Sequence, residues 1–199
     1  MAKPKTIPQT FEICIPEYVD SWDAYFLYMA WAASIKSKDE NCRVGAVIVS
    51  QDRVVLSTGF NGMARGVHDD ERILKNKGEK LKIICHAEQN AILNAARTGV
   101  AVEGASIYVT KFPCLACCNS IIQSGIRRIY TEDKWFWNGD PFDKDHSRKR
   151  RVLQQTRLTV NAPFHPEYSR QIAIDPRKKK GPGRDPTFAH SGQHHRAIS

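Results

Sequence analysis

The sequence predicts an α/β fold with a mixed central sheet and helices on both of its faces, and three observations carry that expectation. Short apolar runs of strand length alternate with amphipathic stretches of helix length. The first two runs are close enough to pair antiparallel across a turn. Each later crossover is long enough to return the chain in parallel. With 199 residues, 41% of them hydrophobic, the chain fits one ordinary domain with a sizeable core.

Residues 1–18 hold Pro4, Pro8 and Pro16 and little apolar periodicity, so they read as an N-terminal arm laid over the domain or left disordered. The domain itself is expected over residues 19–175. From Asp20 to about Lys36, Trp22, Phe26, Met29, Ala30 and Ala33 recur at spacings of three and four, which marks one face of a helix. Val44–Val49 and Arg53–Thr58 are strands joined by the turn-like Ser50-Gln51-Asp52. Gly59-Phe60-Asn61-Gly62 ends the second strand, and the charged stretch up to about Lys82 reads as an exposed excursion. A helix follows over His86–Arg97, with Ala91, Ile92 and Ala95 on its buried side and Gly99 as its stop. Ser106–Thr110 is a strand, Cys114 to about Gln123 a helix, Arg127–Tyr130 a strand and about Ser147–Gln155 a last helix. Residues 176–199, rich in Gly, Pro, Lys and His, read as a basic, disordered tail.

No apolar run of about 18 residues is present to cross a bilayer, and the first residues carry no signal-peptide pattern, so a cytoplasmic protein with no membrane partner is expected. Six cysteines are too few and too unevenly spaced for a disulfide scaffold in a chain of this length. The net charge of +9 raises the question of a polyanionic partner. More than half of the excess, however, sits in the tail, on Arg177, Lys178, Lys179, Lys180, Arg184 and Arg196 against Asp185.

Two fragments carry chemistry: His86-Ala87-Glu88 and Pro113-Cys114-Leu115-Ala116-Cys117, each at a helix start after an extended segment. Cys114 and Cys117, three apart on a helix, present both thiols to one face and can grip one ion. Pro113 suits the start of a helix, having no N–H to leave unsatisfied. One imidazole and two thiolates leave a tetrahedral Zn2+ one position for water, the ligand count of a catalytic site. Glu88 is the carboxylate available to accept a proton from that water. Residues two apart inside a helix do not share a face, so His86 and Glu88 converge only if His86 lies at or just before the first helical residue. Either fragment alone is ordinary: a single His is most often a surface or core residue, and a single CxxC is only suggestive. In this order they form the H-x-E…P-C-x-x-C signature of zinc-dependent base deaminases. The competing arrangement is a closed structural zinc, with Cys118 or Cys85 as a fourth ligand.

These residues resemble the cytidine deaminase superfamily, and within it the deoxycytidylate (dCMP) deaminases. Phe26–Arg43 with Val44-Gly-Ala-Val-Ile-Val49 looks like the family's first helix and strand. Gly59-Phe60-Asn61-Gly62 looks like its GYNG turn, Cys85–Ile92 like its CHAExNAI, and Tyr108-Val109-Thr110 with Pro113–Cys117 like its YVT..PCxxC. The resemblance spans roughly residues 20–131 and implies a three-layer α/β/α cytidine deaminase-like fold with a mixed central sheet. It implies that His86, Cys114 and Cys117 hold one catalytic zinc. It implies that Glu88 moves protons to N3 of cytosine and then to the departing amino group, giving uracil and ammonia. Gly45, Ala46 and Ala87 are implied as pocket residues. Asn61 is expected near the sugar, or else as a turn Asn held for its backbone conformation. The substrate is then a small-molecule nucleotide, dCMP, and the assembly a homo-oligomer, commonly a hexamer.

The sequence also departs from the family. Ala64 stands where the turn normally continues with proline, which argues against dCTP and dTTP control through this region. Trp135-Phe136-Trp137 replaces a loop near the substrate; Trp135 could cap the pyrimidine, although packing at an interface or core is the commoner fate of such residues. Lys36, Lys38, Arg43 and Arg65 are the cations nearest to turns that could meet a phosphate. Two other classes compete with a nucleotide enzyme. A deaminase acting on a base in DNA or RNA draws support from the tail and Arg148-Lys149-Arg150-Arg151, but the tail lacks interleaved aromatics apart from Phe188. A non-catalytic zinc module would have no use for Glu88.

Overall fold

The computed structural model describes residues 20–133 and 145–161, apart from Glu40, Asp69, Glu71, Ile73, Leu74 and Arg157. The arm, the tail and the Trp135 segment lie outside the described residues.

Helix α1 (Trp22–Ser34) opens on Ser21, whose side chain accepts the Ala24 N–H at 3.5 Å. Its buried face is Ala24, Phe26, Leu27, Ala30 and Ser34, while Trp22 stays half exposed. The expected face was therefore rotated. Nearly every residue of this helix is apolar, so spacing alone cannot choose the side that meets the sheet.

Strands β1 (Gly45–Val49) and β2 (Val55–Phe60) pair antiparallel as expected. β2 begins two residues later than predicted because Arg53 takes a left-handed turn conformation, with φ +64°. It also runs through Gly59 and Phe60 instead of ending at them. The charged excursion contains helix α2 (Lys77–Ile83), capped by Asn76 Oδ1, which accepts the Gly78 and Glu79 N–H groups at 3.1 and 3.3 Å. Then come α3 (Ala87–Arg97), β3 (Ser106–Val109), α4 (Leu115–Gln123), β4 (Arg128–Tyr130), α5 (His146–Gln154) and β5 (Thr159–Asn161). Gly99, at φ +70°, stops α3 as predicted. β5 escaped the sequence reading because three residues carry no period.

The five strands lie in the order β2-β1-β3-β4-β5. β1 is antiparallel to both of its neighbours, and β3, β4 and β5 run parallel, so the sheet is mixed. Alternation along β1 divides the core in two. Val47 and Val49 pack with Phe26, Leu27 and Ala30 of α1, whereas Ala46 and Ile48 pack with Ala87, Ala91 and Ala95 of α3, Ile121 of α4 and Leu153 of α5. This is the three-layer arrangement.

Two glycines allow that packing. A Cβ on Gly45 would collide with the Ala30 carbonyl and the Ser34 amide of α1; one on Gly59 would collide with the Ala87 carbonyl and the Ala91 amide of α3. Ser57 Oγ donates to the Ala91 carbonyl at 2.7 Å, and Asn90 and Asn94 donate to the Phe60 and Thr58 carbonyls at 2.7 and 2.9 Å. α3 is thereby fixed against β2 and starts at a defined place.

Candidate active site

The N–H groups of Gly62 and Cys85 bond reciprocally to each other's carbonyls, at 3.1 and 2.9 Å, and hold the chain extended up to His86. Helical geometry begins at Ala87, so His86 is the N-cap, with φ −74° and ψ 157°, and its side chain makes no capping bond. That is the position the His-x-Glu spacing required. At the second helix start, Cys114 is likewise an extended N-cap whose side chain does not cap. Pro113 therefore precedes the helix rather than opening it, and Cys117 is the third helical residue. The cap and third positions face each other, as in a capping box, which brings the two thiols together.

The donor atoms of His86, Cys114 and Cys117 all lie within 4.8 Å of one another. His86 Nδ1 is 3.5 Å from Cys114 Sγ and 3.4 Å from Cys117 Sγ. The Cys117 hydrogen bond, together with His86, lowers Cys114 to about 4. The same thiol–thiolate bond, and then burial, pushes Cys117 up. His86 is raised, first by its bond to Cys114. The contact between the two sulfurs thus favours the thiolate form at Cys114. Soft sulfur and imidazole donors at this spacing suit zinc, and the positive ends of α3 and α4 both meet there.

Glu88 is only 3% exposed. Burial pushes its carboxyl up to about 7, against hydrogen bonds from its own amide and from Cys117 and the pull of His86. It is close enough to both cysteines and to His86 to exchange charge effects with each. The proposed fourth ligands are elsewhere. The Cys118 thiol is in the apolar core, 3.7 Å from the Pro113 carbonyl, and neither it nor the Cys85 thiol joins the cluster of His86, Cys114 and Cys117.

Above the donors opens a cavity of about 750 Å³ whose wall includes Val44, Asn61, His86, Ala87, Glu88 and Phe112. Ala87 lines the cavity. Gly45 and Ala46 do not line the cavity. Gly45 faces α1, its N–H donating to Thr110 Oγ1 and its carbonyl accepting the Thr110 N–H, both at 3.1 Å. Ala46 is fully buried in the core on the α3 side. Asn61 is in the wall and has no left-handed backbone; its Oδ1 accepts the Val44 N–H and its Nδ2 donates to the Cys42 carbonyl, both at 2.8 Å. It is a clamp on the preceding loop. The cations in the wall are Lys80, Lys111 and Lys149, not Lys36, Lys38, Arg43 or Arg65; Arg65 instead donates to Asn94 Oδ1 at 3.1 Å. Lys149 reaches in from α5, with its Nζ 5.7 Å from the Phe112 ring centre. No local pattern in the sequence signals these lysines, because tertiary packing brings them to the cavity, with Lys80 and Lys149 buried and Lys111 exposed.

His86, Cys114 and Cys117 would leave a tetrahedral ion one position for water, and that donor set with a buried carboxylate two residues from the histidine defines the class of zinc-dependent nucleobase deaminases. The chain belongs to the cytidine and deoxycytidylate deaminase family, whose zinc-binding region model matches residues 20–132. It is 38% identical to the deoxycytidylate deaminase of Pongo abelii over 77% of this chain and 85% of that one, and 36% identical to the Mus musculus enzyme over the same shares. Among solved structures it resembles the dCMP deaminase of cyanophage S-TIM5 in complex with dCMP and dUMP, with a TM-score of 0.57 and 25% identity over 73% of this chain and 98% of that one.

Proposed function

We propose that this protein is a zinc-dependent hydrolase that converts dCMP to dUMP and ammonia. The observation that carries the reading is the convergence of His86, Cys114 and Cys117 beside the buried Glu88, with His86, Glu88 and Cys114 in the wall of one cavity. The deoxycytidylate deaminases similar to it support the choice of nucleotide.

His86, Cys114 and Cys117 would hold the zinc, which when bound supplies a Lewis acid that makes water nucleophilic at neutral pH. Glu88, whose burial raises its affinity for a proton, would take the two protons of the attacking water in turn and pass one to N3 of the pyrimidine and the other to the departing amino group. Ala87, at the first helical position of α3, offers its backbone N–H to the ring, and Val44 and Phe112 give it an apolar wall. Lys111 and Lys149 bring positive charge to the same cavity for the phosphate. Trp135 remains a candidate cap over the pyrimidine.

The reading includes a homo-oligomer, by family resemblance a hexamer. The exposed Trp22, Tyr25 and Trp31 of α1, with Ile35 at its C-cap, offer apolar surface that supports association. It also includes a cytoplasmic location for the 19–175 domain with its arm and tail. Among the described residues no helix is long and apolar enough to cross a membrane.

Ammonia release from dCMP, cytidine, dCTP and a cytosine-containing oligonucleotide tests the reading. Turnover of dCMP above the other substrates is expected. Turnover of the oligonucleotide alone would replace the reading with polynucleotide deamination, and a zinc-loaded protein inactive on all four would make it a binding module.

A further inference from the structure

Lys80 belongs to the charged excursion, yet its side chain is only 6% exposed, and its Nζ lies 2.9 Å from Oδ1 of Asp39, which is 4% exposed. The same oxygen accepts the N–H groups of Asn41 and Cys42, at 3.0 and 3.2 Å. Asn61 closes the arrangement from the other side: its Nδ2 lies 3.5 Å from Asp39 Oδ2 and bonds the Cys42 carbonyl, while its Oδ1 takes the Val44 N–H. Asp39, Asn41, Cys42, Val44, Asn61 and Lys80 all line the cavity above the metal donors. One wall of the site is therefore hung on a single carboxylate and a single amide, and the carboxylate is held in turn by the ammonium of α2.

Buried ion pairs contribute little net stability, but losing one partner leaves the other charged in a desolvated place. Without Lys80, the Asp39 carboxylate keeps its loop amides and loses its counterion. The relief open to it is to swing toward water, and the wall goes with it.

We propose that Asp39 and Lys80 are a positioning pair: they fix the wall of Asp39, Asn41, Cys42 and Val44 against α2 and so set where the nucleotide sits, without taking part in proton transfer. The inference rests on the dCMP reading above. The metal donors come from other segments, the starts of α3 and α4, so the effect falls on substrate binding and spares the metal. It also gives the excursion a role. The position of α2 and the affinity for substrate are linked through one salt bridge.

The test compares zinc-loaded wild type with Lys80→Met, Lys80→Arg, Asp39→Asn and the Asp39→Asn/Lys80→Met double variant, with rates normalised to bound zinc. Lys80→Met is expected to raise KM for dCMP about tenfold or more, with kcat within about threefold and the zinc content unchanged. Lys80→Arg should recover most of the loss, and the double variant should be no worse than either single one. Asp39→Asn still accepts the loop amides, so it carries the same expectation should Lys80→Met fail to fold. A lowered melting temperature with KM within about twofold of wild type would reduce the pair to ordinary scaffolding and overturn the proposal. Loss of zinc from both single variants would overturn it as well. A zinc-loaded wild type inactive on dCMP would remove the functional reading and this inference together, whereas an active wild type with an unchanged Lys80→Met KM removes this one alone.

Discussion

His86 and Cys114 are the N-caps of two different helices, and both spend their side chains on each other instead of on their helices, with Cys114 Sγ 3.5 Å from His86 Nδ1. An N-cap side chain ordinarily accepts a backbone N–H from the first turn. Here neither ring nor thiol makes a capping bond, and the positive ends of both helices meet at the His86–Cys114 contact. The helix starts thus forgo a capping bond and gain a place where thiolate and a cation's ligands are favoured.

Zinc must displace protons to enter this site. Cys117 and His86 are both raised, so both compete with the metal through their protons, and zinc affinity should fall as pH falls and rise as pH rises. Competition against a chromophoric chelator at about pH 6 and about pH 8 should give tighter binding at the higher value. In weakly buffered solution each zinc should release about one proton or more. Affinity independent of pH would mean that the donors are already fully deprotonated.

Cys118 and Cys85 should be dispensable for metal. The Cys118 thiol is in the core beside the Pro113 carbonyl and neither it nor the Cys85 thiol joins the donor cluster, so Cys118→Ser and Cys85→Ser should each retain one zinc per chain by metal analysis. Cys118→Ser should lower stability by about 1 to 2 kcal/mol in denaturant unfolding, the cost of a hydroxyl in an apolar setting. Metal loss from either folded variant would point to a closed, four-ligand site.

What the sequence made legible was chemistry held in short segments. His86, Glu88, Cys114 and Cys117 lie within two fragments, and the requirement that His86 stand at the helix edge followed from helical geometry alone. Gly45 and Ala46 show where such reading stops. They are neighbours in an apolar run, and only the packed layers reveal that one faces α1 and the other the opposite core, leaving Val44 to reach the cavity. Lys80 is the sharper case. Among charged neighbours it reads as solvated, and its burial depends on Asp39, 41 residues earlier. The face of α1 was misjudged for the reverse reason, since a helix apolar all round carries no preference to read.

Gly45 should tolerate no side chain. Gly45→Ala would drive a methyl group into the Ala30 carbonyl of α1, and neither backbone can retreat without opening the layer between them. A loss of about 3 kcal/mol is expected by chemical denaturation. A loss under about 0.5 kcal/mol, within the range of ordinary surface substitutions, would contradict the close approach of α1 and β1.

The most direct test is to measure zinc content and ammonia release from dCMP side by side in wild type and Glu88→Gln. Glutamine keeps the shape of the buried side chain and removes its ability to carry a proton, and it is not one of the three metal donors. The account predicts one zinc per chain in both proteins, with kcat reduced roughly 10²–10⁴-fold in the variant. A zinc-loaded Glu88→Gln protein that releases ammonia at close to the wild-type rate would contradict it.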